Sequence, residues 1–249
     1  MTAWWPAAGA LLGLIVGSFL ATVAMRWPAG RSVSRGRSAC DSCGRRLRAA
    51  ELVPVLSYAL QRGRCRTCGA AIDHRHPAIE IAAAVIGATA LAVTPAPVGL
   101  IGAAFGWSLL LLAVLDVEHH WLPDRLTLPL AAAGLLASLT SMPPDLLDRL
   151  IGLLAGYASL WIIATGYRLL RGRVGMGGGD SKLMAALGAW LGWALLPVVL
   201  LLGSLMGLAA VAAARARGRP MTRSTRLPLG ALLAVAAYPA FLVMVGTAR

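Results

Sequence analysis

Apolar residues along this 249-residue chain gather into long unbroken runs, without a sustained two-residue or 3.6-residue alternation. Eight runs stand out, at roughly 5–25, 77–95, 98–116, 125–142, 147–170, 181–192, 194–214 and 228–247. Most approach the ~20 residues that a helix needs to cross a bilayer. The run 181–192 is short, which predicts a half-span or a helix packed inside the bundle. The pattern predicts an all-α, polytopic transmembrane bundle of six to eight spans, with eight as the preferred count. Between the first two runs lies a long polar loop, 26–76.

Composition agrees. Hydrophobic residues make up 58% of the chain and charged residues 13%, with a mean hydropathy of +0.73; soluble domains average about 45–50% and about 25%. The formal charge of +13 suits either nucleic-acid binding or loop bias in a membrane protein, and its placement separates the two. Twenty-one of the 23 basic residues fall on one side of the eight-span scheme. They comprise eleven arginines in 26–76, then Arg125, Arg168, Arg171, Arg173, Lys182, Arg215, Arg217, Arg219, Arg223 and Arg226. Only Arg149 and Arg249 fall on the other. The positive-inside rule then puts these loops in the cytoplasm and both termini outside, and explains the charge without nucleic acid.

The first run has no basic segment before it and no small-x-small cleavage pattern at its end, so a retained helix is expected rather than a signal peptide. Gly9, Gly13 and Gly17 recur at four-residue spacing, as do Gly152/Gly156, Gly188/Gly192 and Gly203/Gly207. Small residues so placed let helix backbones approach closely in lipid, so packing is their expected role.

All four cysteines lie in the polar loop, as Cys40-Asp-Ser-Cys43 and Cys65-Arg-Thr-Cys68. Two C-x-x-C knuckles at this separation predict a tetrahedral thiolate site for zinc. Gly44 and Gly69 follow the knuckles, where a tight turn needs a permissive backbone. Two disulfides are the alternative, which a reducing cytoplasm disfavours. Four sulfurs close the site, so the expected role is structural, with metal binding supplying folding energy to a loop that has little core. His74 and His76 are expected as surface or interfacial residues rather than extra ligands.

An acidic residue inside an apolar segment is costly and therefore a functional candidate. Asp116 ends the run 98–116, and Asp180 follows Gly175-Met-Gly-Gly-Gly179 and opens the sixth run. The topology puts both at one depth on the cytoplasmic side. Two close carboxylates do not readily ionise together. The ionised member can activate water while the protonated one donates to a scissile carbonyl. Taken singly, Asp180 is equally read as a helix N-cap and Asp116 as an interfacial charge. The glycine run favours the site, because irregular backbone at membrane depth persists only against protein or a watery cavity. The order Gly179-Asp180-Ser181-Lys182 is not a Walker loop. Asp124, after Pro123, is expected to cap the fourth span. Glu80 is expected to cap a helix or line the cavity, and Lys182 to tune Asp180 or reach the surface.

These residues, taken in order, resemble the prepilin peptidases, or type IV prepilin leader peptidases. The likeness is carried by Gly17-Ser-Phe-Leu20, the two knuckles, Pro54-Val-Leu-Ser-Tyr58, Arg62-Gly-Arg-Cys65, His76-Pro-Ala-Ile-Glu80, the stretch Asp116–Pro129, Gly177-Gly-Gly-Asp-Ser-Lys-Leu183 and Leu227-Pro-Leu-Gly230. It departs at Ala21, where the family usually has asparagine. The resemblance implies an intramembrane aspartic endopeptidase of the G-x-G-D type in the bacterial inner membrane. Its site would lie on the cytoplasmic side, with Asp116 and Asp180 as the catalytic pair. The implied substrates are type IV prepilins or type II secretion pseudopilins, cut after a glycine that precedes their hydrophobic helix. Many members also N-methylate the new N-terminus with S-adenosylmethionine. The short stretch between Arg26 and Cys40 and the change at Ala21 leave that activity open here. The corresponding division is a first helix over 1–25, a zinc loop over 26–76 and a peptidase region over 77–249.

Two other readings compete. A proton-coupled transporter would carry its carboxylates near the bilayer midplane, not at one edge. A membrane-anchored zinc module that binds a partner or nucleic acid fits the basic loop but leaves both aspartates unexplained.

Overall fold

The computed structural model describes residues 4–33, 38–140, 142–173, 176–218 and 227–247. Gly175 of the glycine run, and Arg35, Arg37, Arg219, Arg223, Arg226 and Arg249 of the charge pattern, lie outside the described residues. Among the described residues there is no strand. The helices are α1 (Trp5–Arg26), α2 (Leu56–Leu60), α3 (Arg75–Val93), α4 (Val98–His119), α5 (Asp124–Leu136), α6 (Leu146–Arg171), α7 (Gly178–Leu191), α8 (Leu196–Ala216) and α9 (Leu229–Thr247). Each of the eight apolar runs becomes a helix, and α2 is an added single turn in the polar loop.

Six of these helices, α1, α3, α4, α6, α8 and α9, are long and apolar enough to cross a membrane. The two others are shorter than an eight-span scheme wants. The fourth run was expected to reach residue 142, but α5 ends at Leu136 and passes into a 3-10 turn, Ala137–Leu139. Thirteen residues of α5 and fourteen of α7 rise roughly 20 Å each, against a hydrocarbon core of about 30 Å. The third run, by contrast, continues to His119, so Asp116 sits inside the last turn of α4 and not at its end.

The chain divides into two compact units, residues 1–110 and 111–249, and α4 begins in the first and ends in the second. In the first unit, α1 packs lengthwise on α3. The glycine spacing read from the sequence is the contact. A methyl group placed on Gly9 would come within 2.2 Å of the Gly87 carbonyl oxygen, and one on Gly13 within 2.2 Å of that of Ala83. The opposite side of α1 shows Leu11, Ile15 and Phe19 to the surroundings, as a lipid-facing helix should. Trp107 of α4 donates its Nε1–H to the Ala83 carbonyl at 2.8 Å.

In the second unit α7 is the core element. From Asp180 to Leu191 only Lys182 is not buried, which is why its sequence is apolar on every side. Gly152 of α6 and Gly188 of α7 face each other, with added methyls reaching 2.4 Å and 2.0 Å from the partner's carbonyl oxygen. On α5, Gly134 lies against Ala189 and Trp190, and Trp190 donates to the Leu130 carbonyl at 2.8 Å. Gly203 and Gly207 of α8 lie against Leu233 and Leu232 of α9. Gly192, the last glycine of these pairs, instead ends α7 with a positive φ of 72°.

Arg149, one of the two basic residues expected on the outer side, is fully buried in the first turn of α6. Its guanidinium donates to the carbonyls of Pro144 (2.7 Å), Gly134 (2.8 Å), Pro143 (3.0 Å), Met142 (3.1 Å) and Ala189 (3.1 Å). Gly134 and Ala189 lie in the last turns of α5 and α7, where carbonyls lack helical partners and the dipoles present negative ends. One cation thus satisfies the far ends of both short helices.

Candidate active site and metal centre

Asp116 and Asp180 are both buried. Asp180 is the third residue of α7, which begins directly after Gly177; Gly177 is the N-cap, and no side chain caps the helix. The reading of Asp180 as a mere N-cap therefore does not hold. Asp116 Oδ2 accepts a 2.8 Å hydrogen bond from the backbone N–H of Ala231, in the first turn of α9. The amide of Gly230 faces both carboxylates, and the two carboxylates are close enough to act on each other electrostatically. The structure therefore gathers both sequence candidates at the start of α9, whose N-terminal amides and positive dipole end suit negative charge.

Close packing around the pair depends on glycine. A methyl on Gly230 would meet Leu122 Cδ1 at 2.7 Å and Asp116 Oδ2 at 3.1 Å, and one on Gly179 would meet Leu122 Cβ at 2.9 Å. Leu122, in the connection between α4 and α5, therefore wedges between the two glycines beside the carboxylates.

Asp124 does not cap α5. Pro123, with extended backbone, occupies the N-cap position, and no side chain caps the helix. The Asp124 carboxylate instead takes both oxygens to Lys182 Nζ at 2.7 Å. Lys182 thereby points to Asp124, ties the starts of α5 and α7 together, and is not hydrogen-bonded to Asp180. Glu80 does not cap α3: its Oε2 accepts the Val55 backbone N–H at 2.7 Å.

In the polar loop the two knuckles fold alike. Ala39 bridges Arg46 and Arg64 bridges Ala71, the Gly44 and Gly69 amides donate back to the Cys40 and Cys65 carbonyls at 2.9 Å, and both glycines have positive φ, 68° and 70°. The Sγ atoms of Cys40, Cys43, Cys65 and Cys68 all lie within 4.8 Å of one another. Cys40 and Cys68 Sγ are 3.8 Å apart. Metal–sulfur bonds of about 2.3 Å in a tetrahedron require edges of about 3.8 Å, so this group could hold a metal ion. The amides of Cys68 and Thr67 turn toward the Cys65 sulfur and lower its thiol to about 6, favouring the thiolate that a metal needs. Glu51 braces the first knuckle: Arg45 binds it through two nitrogens, at 2.7 Å and 3.1 Å, and the Arg48 amide donates to it at 2.8 Å. Together these hold its carboxyl down at about 2.

Comparison with known proteins fits this arrangement. The family profile described as Bacterial Peptidase A24 N-terminal domain matches residues 11–94, and that described as Type IV leader peptidase family matches 103–212. A prepilin leader peptidase/N-methyltransferase from Burkholderia pseudomallei is 44% identical over 251 residues, covering 90% of this chain and 81% of its own. The chain belongs to the type IV leader peptidase family. Proteins of the same printed name from Aeromonas hydrophila and Pseudomonas aeruginosa are 42% and 36% identical, covering 83% and 93% of this chain and 71% and 88% of theirs. No solved structure matches the chain.

In this leader peptidase family member the sequence pointed to both aspartates and all four cysteines, but not to the main-chain donors of α9. A backbone amide has no side-chain signature. The available signal was Leu227-Pro-Leu-Gly230, where proline opens a helix and glycine leaves its first amides uncovered.

Proposed function

We propose that this chain is an aspartic endopeptidase that removes the basic leader from type IV prepilins or type II secretion pseudopilins, at the cytoplasmic face of the bacterial inner membrane. The observation that carries the reading is the pairing of Asp116 and Asp180 beneath the first amides of α9. Family membership and the printed names of the relatives support the substrate class, and the distribution of arginines supports the orientation. Within this reading residues 1–25 anchor the chain, 26–76 form the metal-binding loop, and 77–249 form the peptidase region.

The chemistry needs no covalent intermediate. Asp116, oriented by the Ala231 amide, and Asp180 act in opposite protonation states. The ionised carboxylate takes a proton from water as the water oxygen bonds to the scissile carbonyl carbon. The protonated carboxyl donates to the carbonyl oxygen. Collapse of the tetrahedral species breaks the C–N bond, and the leaving nitrogen takes up the proton gained from water. Gly177 and Gly178, which are not packed against other side chains as Gly179 is against Leu122, leave room beside Asp180 for a substrate backbone.

Zinc is the metal that four thiolates at these separations favour. Cys40, Cys43, Cys65 and Cys68 would hold it, and its contribution is folding energy for the loop. N-methylation of the new N-terminus with S-adenosylmethionine rests on the relatives' names; no described residue is assigned to that cofactor. Neither competing reading, transporter or binding module, accounts for the family match.

The test is incubation of detergent-solubilised protein with a prepilin and labelled S-adenosylmethionine, followed by mass spectrometry. Expected is a cut after the glycine that precedes the hydrophobic helix. An uncut prepilin under conditions where a known leader peptidase cleaves it would overturn the reading, and label in the product decides methylation.

A further inference from the structure

The segment 51–60 is packed inside out. Its buried side chains include Glu51 and Ser57, while Leu52, Val53, Leu56 and Leu60 are 43%, 41%, 55% and 68% exposed. A module surrounded by water does the reverse, and a contiguous exposed apolar patch marks an interaction surface.

The backbone holds the patch outward. Val55, a β-branched residue, has φ 58° and ψ −50°, and the Leu56 amide donates to the Pro54 carbonyl at 2.5 Å. That is a γ-turn of the strained hand, a conformation that persists where surrounding structure enforces it. The enforcing group is Glu80, whose carboxylate accepts the Val55 N–H at 2.7 Å.

Glu80 also sets the depth. It is the sixth residue of α3, a helix of spanning length and hydropathy, and so lies roughly 7 Å along the axis from Arg75. If α3 crosses the bilayer, the turn bonded to Glu80 sits at the level where headgroups give way to acyl chains. The flanking chain is cationic: Arg46, Arg48, Arg62, Arg64 and Arg66 are exposed, and Glu51, the one acidic residue between Arg46 and Arg66, is bound to Arg45.

We infer that the Leu52–Leu60 face is a monotopic docking surface for anionic phospholipid, with Leu52, Val53, Leu56 and Leu60 in the acyl boundary and the arginines among the headgroups. Apolar side chains backed by cations are what such an interface takes up. Docking would fix the four-cysteine loop against the membrane surface, a role independent of the peptidase reading.

The test uses the full chain in vesicles, with a benzophenone amino acid placed at Leu56, at Leu60 and, as control, at Ser42 in the first knuckle. All three positions are exposed, and retained metal shows that each variant is folded. Irradiation in vesicles containing phosphatidylglycerol should give adducts of phospholipid mass at 56 and 60 and not at 42. Yields should fall severalfold in phosphatidylcholine alone. Peptide adducts at 56 and 60, or no adduct in variants that retain metal, would overturn the proposal. Equal yields in the two lipids would overturn the assignment to anionic phospholipid.

Discussion

Replacing Arg149 with methionine tests the account of the bundle where its chemistry is most exposed to error. Methionine keeps the length and the apolar stem but removes a guanidinium that reaches Gly134 and Ala189, in the last turns of α5 and α7, and Met142, Pro143 and Pro144 in the connection to α6. No carboxylate hydrogen-bonds this arginine among the described residues, so the loss falls on main-chain carbonyls. A buried acceptor left unpaired costs about 1–3 kcal/mol, but five such costs do not add, because neighbouring groups relax and water enters. With two of the five still unpaired, the expected loss is about 2–6 kcal/mol. For a chain of this size it lowers Tm by roughly 4–24 °C. Thermal unfolding of purified protein in detergent would read it, with Arg149→Lys between wild type and Arg149→Met, since an ammonium has three donors and no planar fork. A methionine variant that melts with wild type would refute the role of Arg149 as the joint between the two short helices.

Other perturbations give distinct readouts. Gly188→Ala drives a methyl to 2.0 Å from the Gly152 carbonyl oxygen; α6 and α7 must separate, so Tm should fall by an amount matching about 1–3 kcal/mol, whereas Gly166→Ala, with nothing near it, should not destabilise. Metal analysis of Cys40→Ser should show loss of the bound ion. In the native chain the metal should be held at neutral pH and released on acidification, as protons compete for the sulfurs; metal content unchanged in strong acid would contradict thiolate ligation. Lys182→Ala breaks an exposed ion pair with Asp124 and should cost no more than about 1 kcal/mol. Its cleavage rate should stay within about tenfold of wild type, far above any variant of Asp180.

The helices and the chemistry-bearing side chains were legible in the sequence for different reasons. Long apolar runs reveal helices because a spanning segment must satisfy its own backbone. The run at 125–142 misled, because Ala137, Leu139 and Met142 prolong the apolar composition past Leu136, where the helix tightens and stops. Asp116 and Asp180 could be found because charge in an apolar segment is expensive, and the cysteines because metal knuckles have a fixed spacing. Less visible were contacts made from far along the chain. Asp124 looked like a cap, yet its partner Lys182 is 58 residues away. Arg149 looked like an exception to the charge pattern, and it turns inward to carbonyls, which every residue carries and no residue type announces. The amides of Gly230 and Ala231 escaped for the same reason.

The central claim is that Asp116 and Asp180 act as one unit on one water. Single-turnover cleavage of a prepilin by wild type, Asp116→Ala, Asp180→Ala and the double variant measures it directly. Each single substitution should reduce the rate by about 10²–10⁴-fold, and the double should be no slower than the slower single, as for groups that work together. A rate close to wild type after either substitution, or losses that multiply in the double variant, would contradict the dyad.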